Sequence, residues 1–295
     1  MHLAYREPIG QKKPIGSSWD HGSRDRAKKE GGISMAGEES TRQIIVDSLD
    51  GIMRIQINRP EKKNALTFAM YQAMADALIQ ADQNPGIRVV FLTGTENCFC
   101  AGNDLVDFKN ISQGKEHLRN PFVPAISQAK KPIVAAVSGM AIGIGTTMLL
   151  HCDLVFASTE AVFNLPFVNL GLCPELGSSF LLPLLAGYQR AAEIFLLGRP
   201  FNAQKAFEIG MINRVCSEKE LIPMAWEAAC HLAAQPSASV CVTKALMKRG
   251  REAILKAIME EESNEFERCL TSPQAKEAFQ AFLEHRKPSF SEPNR

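Results

Sequence analysis

The chain has 295 residues, 45% of them apolar and 22% charged, which describes an ordinary globular protein with a sizeable core and admits one large domain or two small ones. A formal net charge of +1 gives no electrostatic case for a nucleic acid or an anionic membrane surface. No apolar run approaches the roughly 18 residues of a transmembrane helix.

Residues 1–40 are rich in Gly, Ser, Lys, Arg and Glu and carry no periodicity, so they read as a tail outside the fold. They have no apolar signal core, their acidic residues argue against a transit peptide, and Met35 is an alternative start. Ile44 to Val46 and Met53 to Ile57 read as a hairpin turned by Asp50-Gly51. Phe68, Tyr71, Met74 and Leu78 predict an amphipathic helix over Thr67 to Ala81, and Val89 to Thr93 a buried strand. A glycine-containing loop, Phe99 to Asp104, follows, then a polar, poorly periodic stretch from Val106 to Asn120. Next come a helix over Phe122 to Ala129 and strands over Ile133 to Val137, Leu154 to Ala157 and Ala161 to Asn164. A helix over Thr146 to Cys152 sits among these strands. From Ser178 every signal is helical, including Ser237 to Lys248 and a run on to His285. The organisation expected is a tail (1–40), an α/β core of strand-strand-helix units (41–235) and a C-terminal helical region (236–295) that caps the core or meets another subunit.

Eight scattered cysteines with no C-x-x-C spacing, several in apolar runs, read as free thiols in a reducing compartment. The six histidines form no pair at metal-ligand spacing, so no metal is expected.

The chemistry concentrates between Ile133 and Glu175. A β-branched strand feeds a turn with Gly139, Gly143 and Gly145, and a helix follows. Glycines let backbone approach a ligand closely, and free N–H groups at a helix start can hold an oxygen that becomes negative. Alone, the turn could equally be close strand–helix packing. Its G-x-x-x-G-x-G spacing is not the dinucleotide fingerprint, no phosphate loop is present, and Ser138 lies in V-S-G-M rather than in a hydrolase elbow.

The combination is more specific. Phe99-Cys100-Ala101-Gly102-Asn103-Asp104-Leu105, Ala141-Ile142-Gly143-Ile144-Gly145, and Asn58-Arg59-Pro60 followed by Asn64-Ala65-Leu66 resemble the enoyl-CoA hydratase/isomerase (crotonase) superfamily. The likeness continues through His151-Cys152-Asp153-Leu154, Pro166, Gly171, Pro174 and Gly198-Arg199-Pro200-Phe201, and spans about Ile44 to Phe290. It implies a spiral of strand-strand-helix turns with a helical trimerisation region, assembled as a homotrimer or hexamer. It implies an acyl-CoA thioester substrate, CoA being part of the substrate and no separate cofactor. The thioester oxygen would sit between the backbone N–H groups of Asn103 and Ile144. Ala65, Ala101, Gly102, Asp104, Leu105, Gly143 and Phe167 would line the substrate, Asp104 holding its loop through hydrogen bonds rather than serving as an acid, and Lys62, Phe282 and Lys287 would meet the CoA phosphates or adenine. Each lysine could equally be a solvated surface charge.

Departures narrow the reading. The family's hydratases use two glutamates around one water, and here those places hold Thr147 and Phe167. Neither moves a proton, and Phe167 would displace the water. What remains is Glu175, in Cys173-Pro174-Glu175-Leu176-Gly177, matching the single glutamate of the peroxisomal type of Δ3,Δ2-enoyl-CoA isomerase. Phe163, Phe167 and Leu176 would keep it dry. Glu175 could otherwise be a helix N-terminal carboxylate placed for dipole reasons, and Thr147 could bind substrate or simply cap backbone. The expected activity is the isomerase of fatty acid β-oxidation, against a hydratase, another crotonase-type enzyme, or a silent acyl-CoA-binding trimer. The C-terminal Glu-Pro-Asn-Arg is not a peroxisomal address, so a cytoplasmic location is expected.

Overall fold

A computed structural model describes residues 43–104 and 120–290. The tail, Leu105 and most of the Val106 to Asn120 stretch lie outside the described residues.

Two sheets organise the fold. The larger, six-stranded one runs β1 (Ile44–Leu49), β2 (Ile52–Ile57), β3 (Val89–Thr93), β5 (Ile133–Val137), β7 (Leu154–Ser158), β10 (Arg214–Cys216). The smaller contains β4 (Cys98–Cys100), β6 (Met140–Ile142), β8 (Val162–Asn164) and β9 (Phe201–Asn202). Chain order alternates between them: β3 leads into β4, β5 into β6, β7 into β8. In each sheet these strands lie parallel, side by side. That alternation is the strand-strand-helix spiral expected from the resemblance, an α/β architecture with a helical C-terminal region.

The period of two in the larger sheet explains why both faces are apolar. Val90, Leu92, Ile133, Ala135 and Val137 enter the main core, whereas Val89, Phe91, Val134 and Ala136 face the opposite way. A helix over Glu218–Ala234 covers that second face with Leu221, Ala225, Ala229 and Ala233, spaced by four so that small side chains sit on the sheet. On the inner side, α1 (Phe68–Gln83) buries Met70, Tyr71, Met74 and Leu78, and Thr67 caps it by accepting from the Met70 N–H.

Four expectations need correction. The hairpin strands extend to Leu49 and back to Ile52, because Asp50 and Gly51 both adopt positive φ and form a two-residue turn. The Thr146 to Cys152 helix is instead one α-turn, Ile144–Thr147, continued as a 3-10 turn, Met148–His151. The region after Ser178 is not wholly helical: β9 and β10 close the two sheets, and they are too short to carry a period. The helix expected to end at Lys248 runs unbroken over Ser237–Leu270, because Gly250 sits on an open face where a helix tolerates glycine at modest cost. A last helix, Pro273–Leu283, follows. No helix among the described residues is long and apolar enough to cross a membrane.

Candidate active site

Strand pairing brings the two glycine loops together. β4 and β6 lie parallel with Cys100 opposite Ala141, so the segments that leave them, 101–104 and 142–144, run alongside each other. Asn103 bridges Leu66 in parallel register, but the pairing uses its neighbours: the Leu66 N–H donates to the Gly102 carbonyl at 2.8 Å and the Asp104 N–H to the Leu66 carbonyl at 2.9 Å. In such a bridge the middle residue turns its own N–H to the other side. Ile144 opens the α-turn, where an N–H has no partner within the helix. Gly143 before it has φ 55 and ψ −120, a conformation reserved for glycine, and a Cβ there would point into open space. Since the helical piece is a single turn, the N–H itself rather than a helix dipole supplies the local field.

Side chains fix the first loop. Arg59 Nη1 donates to Asp104 Oδ2 at 2.6 Å and to the Ala65 carbonyl at 3.0 Å, with both charged side chains largely buried. Asp104 therefore anchors the loop. Asn64, fully buried and at φ 57, donates to Thr95 Oγ1 and the Cys98 carbonyl and accepts from the Arg59 N–H. Left-handed backbone tolerates asparagine better than most residues, which accounts for its presence in the Asn64-Ala65-Leu66 motif. The Ala101 N–H donates to the Lys63 carbonyl at 3.0 Å. From α1, the Tyr71 hydroxyl donates to Asn103 Oδ1, a contact that sequence patterning assigns to the helix core alone.

Glu175 completes the site. Thr147 Oγ1 donates to Glu175 Oε1 at 2.7 Å, joining the carboxylate to the turn that begins with Ile144. Glu175 is also close enough to Cys100 for its charge to help raise that thiol, which burial pushes to about 12. The Glu175 carboxyl rises to about 7 because burial disfavours the charged form; the Thr147 hydrogen bond opposes this and the Glu262 charge adds to it. As a residue Glu175 is half-buried rather than sealed in the core.

The backbone around it is strained and clamped. Leu176 has φ 58 and Gly177 φ 69, two left-handed residues in succession. Such a leucine costs of order 1 kcal/mol or more and persists only where its surroundings impose it. His151 Nε2 donates to the Leu176 carbonyl at 2.8 Å; its pKa is lowered to about 4, chiefly by burial, so the ring is neutral and the Nε2–H tautomer is the donor. Glu262 accepts from the N–H groups of Gly177 at 2.5 Å and Ser179 at 2.9 Å. The carboxylate at the start of the Ser178–Ala186 helix is thus Glu262, and Glu175 is not spent on capping.

The remaining residues named from the sequence spread more widely. Phe167 is buried with its ring 6.5 Å from that of Phe195, and Phe163 stacks on Phe201. Lys62 is exposed at the end of a short 3-10 turn, Pro60–Lys62. Phe282 and Lys287 are exposed on and after the last helix. Tyr71, His151 and Glu262 are contributors whose roles sequence reasoning missed, His151 having appeared only within the family motif; Thr147 was weighed as a substrate or backbone ligand, and the structure places its hydroxyl on Glu175 instead.

Comparison with known proteins shows the family and the fold. Residues 47–293 match the model of the family described as enoyl-CoA hydratase/isomerase. The chain is similar to the enoyl-CoA delta isomerase 2 of Rattus norvegicus, 35% identical over 92% of this chain and 71% of that protein. It is also similar to the crotonyl-CoA hydratase of Syntrophomonas wolfei, 31% identical over 84% of this chain and 97% of that protein. Among solved structures, an enoyl-CoA hydratase/isomerase from Pseudoalteromonas atlantica superposes with a TM-score of 0.80 at 39% identity, covering 85% of this chain and all of that one.

Proposed function

The chain belongs to the enoyl-CoA hydratase/isomerase family, and from that premise we propose that it is a Δ3,Δ2-enoyl-CoA isomerase of fatty acid β-oxidation. The observation that carries the reading is a buried carboxyl, Glu175, raised to about 7 and tied to the Ile144 turn; the resemblance adds Thr147 and Phe167 at the two places where a hydratase has its glutamates.

Glu175 as the carboxylate takes the C2 proton of a 3-enoyl thioester. The C2–H electron pair moves into the thioester carbonyl, giving a dienolate whose oxygen accepts from the Asn103 and Ile144 N–H groups. The same carboxyl then returns the proton to C4, the carbonyl re-forms, and the double bond lies between C2 and C3. A base near 7 balances the ionised fraction against proton affinity at neutral pH. Phe163, Phe167 and Leu176, all buried, keep water from the dienolate. Ala65, Ala101, Gly102 and Gly143 offer the acyl-CoA a backbone surface, and Lys62 suits a CoA phosphate. The substrate carries its own CoA and the reaction calls for no other cofactor. Large apolar side chains remain exposed on three helices, at Leu184, Tyr188, Leu196, Leu246 and Met247 among others, which supports assembly into a homotrimer or hexamer.

Glu175→Gln tests this. It should lower isomerisation by a thousandfold or more while acyl-CoA affinity stays within a few-fold. A variant retaining a tenth of wild-type turnover would remove Glu175 from the role of base. Hydration is the second reading, favoured by the likeness to a crotonyl-CoA hydratase.

A further inference from the structure

Two adjacent threonines sit on the Ile144–Thr147 turn, and they differ in what their hydroxyls do. Thr146 Oγ1 donates to the backbone carbonyl of Ala141, an ordinary structural bond within the loop. Thr147 Oγ1 donates to a side chain instead, Glu175 Oε1, at 2.7 Å. Thr147 is fully buried, and its own N–H is held by the Gly143 carbonyl at 3.0 Å. A β-branched side chain on a fixed backbone has little freedom at χ1, so the hydroxyl is aimed rather than free to turn.

We infer that Thr147 is a positioning residue for the base: it holds Oε1, sets the plane of the carboxyl group, and leaves Oε2 to carry the substrate proton out and back. This rests on the reading of Glu175 as the base. The same turn starts with Ile144, whose N–H is assigned to the developing oxyanion, and three residues of one helical turn separate the two functions. The turn therefore fixes the base relative to the oxyanion donor, which a loop-borne glutamate alone would not achieve. Other groups act on the carboxyl as well. Glu262 disfavours its ionisation through its charge, and the Cys100 thiol lies nearby, itself held protonated by burial. Thr147 is the neighbour that favours the carboxylate.

The test compares kcat and KM across pH for wild type, Thr147→Val, Thr147→Ser, Thr146→Val and Glu175→Gln. Loss of a hydrogen bond to a charged oxygen raises the carboxyl pKa. The acidic limb of kcat/KM in Thr147→Val should therefore move up by about one pH unit. Its kcat should fall about tenfold with KM nearly unchanged. Thr147→Ser should restore most of both, and Thr146→Val should lower thermal stability without moving the limb. An unmoved limb in Thr147→Val with kcat within twofold of wild type overturns the inference, as does a serine variant no better than the valine. Should the valine variant not fold, Thr147→Cys, a weaker donor, decides on the same criteria, with infrared titration of the carboxyl band as a readout independent of turnover. Residual activity in Glu175→Gln would bring down the base assignment itself. An inactive Glu175→Gln beside a silent Thr147→Val would bring down only the role of Thr147.

Discussion

Glu175 carries opposed demands. The fold holds it where burial raises it from 4.5 to about 7, so the protonated form is the one the folded state prefers. The stabilising part of this linkage is fully present below about pH 4.5 and is lost as pH rises through 7, because the unfolded chain ionises freely there. A rise of that size corresponds to about 3 kcal/mol. Glu175→Gln, which does not titrate, should gain stability relative to wild type by about 2 to 3 kcal/mol between pH 4 and pH 8, measured by urea unfolding. A difference independent of pH would mean that the carboxyl is solvated. The residue is also where sequence reading reached furthest and stopped. The motif around Glu175 was legible, yet helix capping and catalysis both fitted it. What separates them is Glu262, distant in sequence, whose carboxylate already takes the Gly177 and Ser179 N–H groups. Thr147 was legible as a hydrogen-bonding residue but not as the partner of Glu175, because a hydrogen bond between two loops has no sequence period.

At the scale of elements, the short segment from Glu175 into the Ser178–Ala186 helix shows how packing enforces an unfavourable backbone. Gly177 has φ +69, and a Cβ there would lie 2.3 Å from Leu255 Cδ1 and 3.3 Å from Met259 Cγ, both on the long Ser237–Leu270 helix. Gly177→Ala should cost about 1 to 3 kcal/mol in thermal or urea unfolding. It should also reduce kcat, since the Glu175 backbone must shift with it; a variant as stable and active as wild type would show that the clamp is slack. Long elements with clear periods were readable in advance: α1, the buried strands and the helix over the outer face. The short closing strands of the two sheets were not, because Phe201–Asn202 at the edge of the smaller sheet and Arg214–Cys216 at the edge of the larger are recruited by neighbours already in place rather than by pattern. Nor was the continuity of the long helix past Lys248, where Gly250 faces open space and does not interrupt it.

For the whole molecule, the alternation of chain between two sheets makes the site. Each passage from the larger sheet to the smaller delivers a loop to the same place. The second passage brings Ile144 and Thr147 beside the Asn103 loop of the first, and Glu175 follows from the third. The family resemblance made this arrangement legible from Asn58 to Phe201, since its motifs mark those crossings. It could not report the ties that hold them, Arg59 to Asp104 and Tyr71 to Asn103, which join elements far apart in sequence. The central proposal is that Glu175, with Thr147 and Phe167 at the hydratase glutamate positions, serves this site for moving a proton rather than for adding water. Purified protein offered a 3-enoyl-CoA and a 2-enoyl-CoA in separate assays tests it most directly. Conversion of the 3-enoyl thioester to its 2-enoyl isomer, with hydration of the 2-enoyl thioester at least a hundredfold slower, is the result expected. Brisk hydration would contradict it and would mean that another group activates water beside Glu175.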